Sequence, residues 1–456
     1  MPSLHGTRYN GIALDWRVET FPRVLRNAGY HTAHLGKCHL QNMNIMKSAA
    51  ARQTATMAPG DAFSRAYYPA GWDEYEDLFR HKKERVEMPD DYYGFAEVDL
   101  VVAHSDACGG HYYQWLLEQG IDPETIQGKA GALDYDSPSH MTRKTGTPEE
   151  LYPTRYITDV ACRFLERRAA DPATPFMAVV SYPDPHHPFT PPGKYFDMYS
   201  PHDFEMPETF NDPHVDGAPH YLKALREGPK GLRRGVNMFA PTEKELREMG
   251  AKEFGMISMI DDGVGTLLRT LDRLELADNT IIVFTSDHGD MFGDHGVMLK
   301  GAMHYEGCTR VPLLMHVPGQ QAGTCNSLIS SLDIGPTLLS RAGLQPFHGM
   351  QGLDASGLIQ DPTLRIRDAL LVEEDQLNDI LGVGRSLRMR TLITEETRLT
   401  IYDGFDGIEL FNLKEDPFEM RNLQHADPTL RKIMMERLSY QLMAVDDTSP
   451  KPTAFA

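Results

Sequence analysis

The sequence predicts an α/β fold: a mainly parallel, doubly wound sheet flanked by helices, with a small C-terminal antiparallel α+β subdomain. Helix-like and strand-like segments alternate over the first two-thirds of the 456 residues. The strand candidates there are continuous apolar runs, as is typical of parallel strands covered on both faces. After about Arg365 the pattern changes to short strands joined by turn residues. We therefore expect one domain over residues 1–365 and a second over 366–456.

The first elements are recognised by their apolar spacing and their breakers. Phe21 to Ala28 is a short helix ended by glycine, and Thr32 to Leu35 is a strand. Residues 43–150 are rich in Asp, Tyr, Gly and His with weak periodicity, which indicates a long insertion of loops and short helices. Pro153 to Ala170 is a helix, and Phe176 to Tyr182 is a buried strand.

A long helix and two further apolar runs follow. Thr242 and Glu245 have the spacing of a capping box, which predicts a helix start. Its apolar face is expected to contain Phe254, Ile257, Ile260, Val264, Leu267, Leu271 and Leu274. Ile281 to Thr285 is predicted to be a central parallel strand, Val311 to Val317 repeats its pattern, and Leu332 to Ala342 is a helix.

The C-terminal part predicts a small antiparallel sheet with one helix. Its strand candidates are Leu370 to Val372, Leu387 to Ile393, Arg398 to Tyr402 and Glu409 to Asn412. Thr429 to Val445 is the helix. Short strands separated by turn residues are typical of antiparallel pairing.

Charge and cysteine content restrict the function. With 45 Lys and Arg against 65 Asp and Glu, the formal net charge is −20, which argues against nucleic acid or an anionic membrane as partner. No apolar run reaches the length of a membrane span. The five cysteines form no Cys-x-x-Cys pair, which suits a reducing compartment. We expect a cytoplasmic enzyme and leave homo-oligomer formation open.

Polar clusters follow directly after the three strongest strand candidates. They are GKCH at 36–39, PDPHHP at 183–188 and SDHGD at 286–290. In open α/β sheets the sites form beyond the carboxyl ends of strands, so these three loops are expected to converge.

Each candidate residue has a functional and a structural interpretation. Asp287 and His288 offer a carboxylate and an imidazole to a divalent cation, or they cap a turn and satisfy a carbonyl. Lys37 and Lys300 are either anion contacts or solvated surface residues. His186, in a stiff proline loop, suits a general acid or a hydrogen bond within the turn, and the same ambiguity holds for His39. Asp290, Asp294 and His295 are second-layer partners or loop-forming residues, with loop formation preferred.

Cys38 is a candidate nucleophile because Lys37 and His39 flank it. Neighbours in a strand point to opposite faces, however, so adjacency does not create a shared site. No Gly-x-Ser-x-Gly elbow, Walker loop or GxGxxG follows a strand.

Several of these motifs in combination resemble the sulfatase family of the alkaline-phosphatase superfamily. They are TSDHGDMFGDHG at 285–296, then Lys300, Tyr305-Glu306 and Arg310-Val311-Pro312; GKCHL at 36–40, where the family has Gly-Lys-Trp-His; the loop SYPDPHHPFTPP at 181–192; and LFNLKEDPFE at 410–419 with Asn422-Leu423. The resemblance runs from about His5 to Leu423 and implies an alkaline-phosphatase-like fold.

The resemblance also implies roles. Asp287 and His288 would be two ligands of one divalent metal ion, Ca²⁺ in preference to Mg²⁺ or Mn²⁺. Lys37 and Lys300 would contact the sulfate or phosphate group of a small anionic ester. His39 would lie by the nucleophile, and His186 would protonate the leaving oxygen. Histidine at the second ligand position also occurs in phosphonate monoester and phosphodiester hydrolases of the superfamily.

One departure from the family is serious. Its members open with a strand that ends in paired acidic ligands, followed by Cys- or Ser-x-Pro-Ser-Arg, whose first residue becomes the formylglycine nucleophile. The sequence contains neither element, and Asp261-Asp262 lies inside the long helix. Three interpretations stay open: a sulfatase shortened at its front, which we prefer, a non-catalytic protein of sulfatase fold, or a shortened phosphodiester or phosphonate hydrolase. We expect these 456 residues alone to hydrolyse no sulfate ester at a useful rate.

Overall fold

The structure is a computed structural model that describes residues 1–8, 11–44, 71–213, 238–301, 303–376, 387–403 and 407–445. Its first sheet consists of β1 (His31–Lys37), β2 (Glu97–Val102), β3 (Gly109–Gly110) and β4 (Phe176–Ser181). The spatial order is β3-β2-β1-β4; β1 runs parallel to both β2 and β4, and β3 pairs antiparallel to β2. The predicted parallel sheet is confirmed, together with the strands at 32–35 and 176–182.

Side chains that alternate along β2 cover both faces of this sheet. Val101 belongs to a hydrophobic cluster with the helices His111–Glu118 and Pro153–Ala169, whereas Leu100 and Val102 belong to a cluster with Leu78 and Tyr92. This alternation is what the period of two residues in a strand produces. The doubly wound arrangement is therefore confirmed, with helices and loops on both faces.

The helices are mostly those that the sequence predicts. Their bounds are α1 Pro2–His5, α2 Phe21–Asn27, α3 Leu78–His81, α4 His111–Glu118, α5 Pro153–Ala169, α6 Glu243–Arg273, α7 Glu306–Thr309, α8 Ile334–Arg341, α9 Ser356–Gln360 and α10 Pro428–Ala444. Thr242 and Glu245 form the expected capping box, with both reciprocal hydrogen bonds present. One detail is wrong: in the predicted apolar face of α6, Ile257 is 45% exposed, while Met256 and Met259 are buried. The buried face of α6 is therefore rotated toward Met256 and Met259 relative to the predicted face, and methionine is flexible enough to fill irregular gaps in a core.

The insertion predicted for residues 43–150 is only partly an insertion. Residues 45–70 lie outside the described residues, but β2, β3 and α4 all fall in the remainder, and β2 is a central strand of the sheet. The strand was missed because its sequence EVDLVV carries two carboxylates. Glu97 and Asp99 are accommodated because each has a polar partner: His31 of the neighbouring strand β1 contacts Glu97 at 3.0 Å, and the Tyr156 hydroxyl donates to Asp99.

The strand predicted at 281–285 exists, but its predicted environment is wrong. β5 (Ile282–Thr285) pairs antiparallel to β6 (Leu313–His316) in a separate two-stranded sheet. Both strands are partly exposed, with Phe284 at 43% and Leu314 at 60%. An apolar run does not encode the direction of its partner, so antiparallel pairing could not be distinguished from parallel pairing. Within the described residues, the outer edge of β4 and the second edge of β5 carry no paired strand.

The predicted C-terminal antiparallel sheet is confirmed. It consists of β7 (Leu370–Asp375), β8 (Arg388–Ile393), β9 (Thr397–Asp403) and β10 (Ile408–Asn412), in the order β10-β9-β8-β7. Helix α10 packs Met434 and Leu438 against Leu392, Leu399 and Leu410 of this sheet. In the part of the chain that the structure describes, no helix is both long and apolar enough to cross a membrane.

Candidate active site

The three polar loops open into one cavity of about 3560 Å³. Every candidate site residue from the sequence lines it: Lys37, His39, His186, Asp287, His288 and Lys300. The loops come from the carboxyl ends of β1, β4 and β5. β1 and β4 end at the edge of an α/β sheet where ligands are expected to bind, and β5 of the separate two-stranded sheet delivers its loop to the same cavity, so the structure places all six residues around it.

Lys37 is held at the end of β1 by a close approach of two strands. Gly36 has φ +113°, and a Cβ on it would lie 2.0 Å from the Ser181 carbonyl oxygen of β4. Only glycine fits this conformation and this contact. Beyond it, the Lys37 side chain is 14% exposed, and its Nζ lies 3.3 Å from Asp287 Oδ2. Loops that follow β1 and β5 are thereby joined by one ion pair.

Asp287 and His288 present ligand atoms side by side. The His288 backbone N–H donates to Asp287 Oδ1 at 3.0 Å, and His288 Nε2 lies 3.6 Å from Asp287 Oδ2. His288 Nδ1 lies 2.8 Å from the Gly289 carbonyl oxygen. Because a carbonyl only accepts, Nδ1 carries the hydrogen and Nε2 keeps its lone pair, which is the form that binds a metal.

The charges around Asp287 keep its carboxyl ionised. Burial alone would raise its pKa, but the positive charge of Lys37 and the hydrogen bonds from Lys37 and from the His288 backbone N–H outweigh burial, and the pKa lies below its ordinary value. An ionised oxygen ligand next to an imidazole nitrogen fits a divalent cation. The described residues contain no group of three or more side chains that could hold such an ion. Asp287 and His288 therefore fit two positions of a metal site, and the described chain provides no third.

Lys300 also lines the cavity and is partly buried, close enough to Lys37 and Asp287 to interact with their charges. Burial lowers the pKa of its ammonium group, and the nearby Asp290 carboxylate opposes this effect. Asp290 Oδ1 accepts hydrogen bonds from the backbone N–H groups of Phe292 and Leu299. It therefore shapes the loop that carries Lys300, in agreement with the preferred loop-forming interpretation.

Asp294 and His295 also serve the structure of their loop. Asp294 Oδ1 accepts from the Thr209 hydroxyl at 2.8 Å. His295 is 2% exposed, its Nδ1 lies 3.3 Å from Asp212 Oδ2, and its ring contacts Tyr305 with centroids 4.0 Å apart. Neither residue lines the cavity. Asp261 and Asp262 are exposed on α6, as expected for the polar face of that helix.

Cys38 is not placed as a nucleophile. Its side chain is 4% exposed and belongs to the hydrophobic cluster on the far side of the sheet from α5. Burial and the neighbouring Glu76 carboxylate raise the pKa of the thiol well above its ordinary value. A buried, protonated thiol does not attack an ester. The flanking Lys37 and His39 do not change this, because adjacent residues of an extended segment point to opposite faces.

His186 lies between two further imidazole rings, which the sequence analysis did not single out. The rings of His104 and His186 are stacked, with centroids 3.6 Å apart and planes 13° apart. His187 stacks on the other side, at 4.0 Å and 27°. His104 follows β2, so it was missed together with that strand. The signal that could have found it is the apolar run Leu100–Val102 directly before it.

The fold and the cavity define a class of protein, an α/β enzyme that handles an anionic group at the carboxyl ends of its strands. The chain belongs to the sulfatase family, whose model matches residues 2–344. The model described as N-sulphoglucosamine sulphohydrolase, C-terminal, matches residues 293–447. The family is one of hydrolases of sulfuric esters, and members of its superfamily generally depend on a divalent metal.

Two relatives and one solved structure illustrate the similarity. An arylsulfatase of Clostridium perfringens is 27% identical over 95% of this chain and 81% of the relative. A choline-sulfatase of Rhizobium meliloti is 26% identical over 93% of this chain and 70% of the relative. The crystal structure of a phosphonate monoester hydrolase of Agrobacterium radiobacter superposes with a TM-score of 0.72 at 22% identity, covering 96% of this chain and 82% of that one. At this identity the last likeness shows the fold alone.

Proposed function

We propose that the protein is a sulfuric ester hydrolase that acts on a small sulfate ester and uses one divalent cation, Ca²⁺ in preference to Mg²⁺ or Mn²⁺. The observation that carries the proposal is the convergence of Lys37, Lys300 and the Asp287–His288 pair on one cavity. Two ammonium groups offset the negative charge of a bound sulfate locally, against a net charge of −20. Charges that are already in position around the tetrahedral sulfate group stabilise the transition state and so lower the barrier to transfer of that group.

Each residue then has a task. Lys37 and Lys300 bind sulfate oxygens as compact positive charges. Asp287 and His288 hold the cation, which when bound would neutralise charge on the sulfate group as a Lewis acid. His186 gives a proton to the leaving oxygen, and His39 lies beside the attacking group.

The nucleophile has to come from elsewhere, because the 456 residues contain no Cys- or Ser-x-Pro-Ser-Arg. We propose that polypeptide outside these residues supplies it, together with the remaining metal ligands, on a strand between β4 and β5. Both strands have an unpaired edge within the described residues. Phe176 and Val180 of β4 and Ile282 of β5 contact the same hydrophobic cluster of α5 and α6, so a strand placed between them would complete one layer.

The test compares two proteins. The 456-residue chain is assayed with 4-nitrophenyl sulfate in Ca²⁺, Mg²⁺ and Mn²⁺, and we expect no useful turnover. A version extended by an acidic strand and a formylglycine-forming Cys-x-Pro-Ser-Arg segment should turn over this substrate, and Lys37→Ala or Lys300→Ala should lower the rate by about 10²-fold or more, as for a lost transition-state contact. Turnover by the unextended chain would contradict the proposed source of the nucleophile.

Two other functions are separated by the same experiment. His288 at the second ligand position is compatible with a phosphonate monoester or phosphodiester hydrolase as well as with a sulfatase, and parallel assays of the extended protein on phosphonate and phosphodiester substrates would reveal a preference for phosphorus. A non-catalytic binding protein would leave the extended version inactive on all of them. Calorimetric binding of inorganic sulfate to the 456-residue chain, lost in Lys37→Ala, would then support binding alone.

A further inference from the structure

Three stacked imidazole rings form a feature that the proposed reaction does not yet use. His186 lies between His104 and His187, at centroid distances of 3.6 and 4.0 Å. All three rings line the cavity together with Lys37 and Lys300. The central ring is thus held on both faces, next to the residues that would bind the anion.

The backbone that carries His104 is strained in order to place it. Ala103 and Ser105 flank His104 and have φ values of 68° and 55°, whereas His104 itself is extended. Left-handed conformations of non-glycine residues are unfavourable and persist where the surroundings enforce them. The Ser105 hydroxyl donates to the His186 carbonyl oxygen at 2.7 Å, which ties the loop after β2 to the loop after β4.

One ring nitrogen of His186 is already engaged in a hydrogen bond with the backbone. Its Nδ1 contacts the carbonyl oxygen of His187, which only accepts, so Nδ1 carries the hydrogen in the neutral ring. Nε2 then holds the lone pair, so it has to take up a proton and form the imidazolium before it can pass that proton to the leaving oxygen of a substrate. Rotation of the ring about its bond to Cβ would move Nε2, and the stacked neighbours oppose that rotation.

We propose that His104 is a positioning residue for His186: stacking of its ring fixes the plane of the His186 imidazole, so that Nε2 faces the leaving oxygen of the substrate. The inference rests on the proposed function, in which His186 donates that proton. Because His104 acts through ring contact alone, a phenylalanine at position 104 should still hold the His186 ring in place. An alanine at this position should not hold it, because one face of His186 would be uncovered.

The first experiment does not require activity. Histidine side chains of the 456-residue chain are labelled with ¹⁵N, and the His186 signal is assigned with His186→Gln. We expect a single Nδ1-H tautomer of His186 in the wild type and in His104→Phe, and averaging between tautomers in His104→Ala. His140→Ala is the matched control, because His140 is an exposed histidine that contacts Phe239 and is not part of the stack. An unchanged His186 signal in His104→Ala would overturn the proposal.

The second experiment uses the extended protein and two leaving groups. A poor alkyl leaving group needs the proton from His186, whereas 4-nitrophenolate leaves without it. We expect His104→Ala to lower kcat on an alkyl sulfate by about 10- to 100-fold, a part of what a general acid contributes, with less than about threefold loss on 4-nitrophenyl sulfate. His104→Phe should restore most of the alkyl rate. Equal losses on both substrates, or a phenylalanine variant as slow as the alanine one, contradict the positioning role. If the extended protein is inactive on every substrate, the proposed function fails, and the NMR comparison still decides the role of His104.

Discussion

Asp184 is a carboxyl group that the fold buries without completing its hydrogen bonds. It is 6% exposed; its Oδ2 accepts from the Thr154 hydroxyl at 3.3 Å, and its Oδ1 has no hydrogen-bond partner among the described residues. Burial raises the pKa of Asp184 to about 7. Since an unfolded aspartate has a pKa of about 4, the folded state holds a proton that the unfolded state releases.

The free energy of unfolding should therefore fall as pH rises from about 4 to about 7, by up to about 1.4 kcal/mol per pH unit from this group. Asp184→Asn removes the titrating group and should flatten that slope, so the variant gains stability relative to wild type between pH 5 and pH 8. Urea unfolding at pH 5, 6, 7 and 8 measures the free energy of unfolding of both proteins, with Asp261→Asn on the exposed face of α6 as control. Parallel stability profiles for wild type and Asp184→Asn would contradict the assignment.

The sequence identified single site residues where an apolar strand precedes them. Lys37, His186 and Asp287 each follow such a run, and all three line the cavity. His104 follows the strand β2 in the same way, but Glu97 and Asp99 interrupt the apolar pattern by which that strand would have been recognised. Whether a carboxylate in a strand is tolerated depends on partners distant in sequence, such as Tyr156, and these cannot be known before the fold is known.

At the scale of elements, the contact between β1 and β4 fixes the geometry of the site. The two strands are in register from His31 with Phe176 to Gly36 with Ser181. Gly36 is the last of these pairs, directly before Lys37. An error in pairing at this point would move the lysine.

Gly36→Ala should therefore be more destabilising than a left-handed backbone alone explains. Its Cβ would meet the Ser181 carbonyl oxygen at 2.0 Å, whereas a Cβ on Gly120, which has φ +77°, meets nothing within 4 Å. We expect Gly120→Ala to cost about 1–2 kcal/mol, and Gly36→Ala to cost at least about 2 kcal/mol more because β4 has to shift. Guanidinium unfolding of both variants measures the difference. Equal costs would mean that the two strands separate easily at this end.

Element type was predictable and strand direction was not. The capping box of α6 is a local signal, and it was read correctly because both partners are three residues apart. The pairing of β5 with β6 joins residues 282–285 to 313–316. Nothing local in an apolar run specifies whether its neighbour runs parallel, so the predicted central parallel strand was wrong.

At the scale of the whole molecule, one buried arginine joins the C-terminal sheet to the loops near the cavity. Arg398 is 1% exposed, its Nη1 lies 3.2 Å from Glu409, and its Nε pairs with Glu419. The Tyr305 hydroxyl donates to Glu409 at 2.6 Å, and the Glu306 backbone N–H donates to Glu419 at 2.9 Å. The guanidinium also stacks over the ring of Tyr305, 4.6 Å from its centroid.

Arg398→Met should leave two buried carboxylates without their cation and cost about 3–5 kcal/mol. Arg437→Met is the matched control, since Arg437 pairs at 3.1 Å with an exposed Asp368 and should cost less than about 1 kcal/mol. Adding Glu409→Gln and Glu419→Gln to Arg398→Met should recover part of the loss. Denaturant unfolding of the four proteins tests this, and similar costs for the two arginine variants would contradict it.

The same network limits how this chain can be divided or recombined. Separating the C-terminal sheet from the rest would expose Glu409, Glu419 and Arg398 on one piece and the ring of Tyr305 on the other. A chimera that exchanges residues 366–456 for those of a relative would have to bring a matching set of charges and rings on both sides of the junction. The C-terminal sheet thus shares a core with the rest of the chain and should not behave as an exchangeable module.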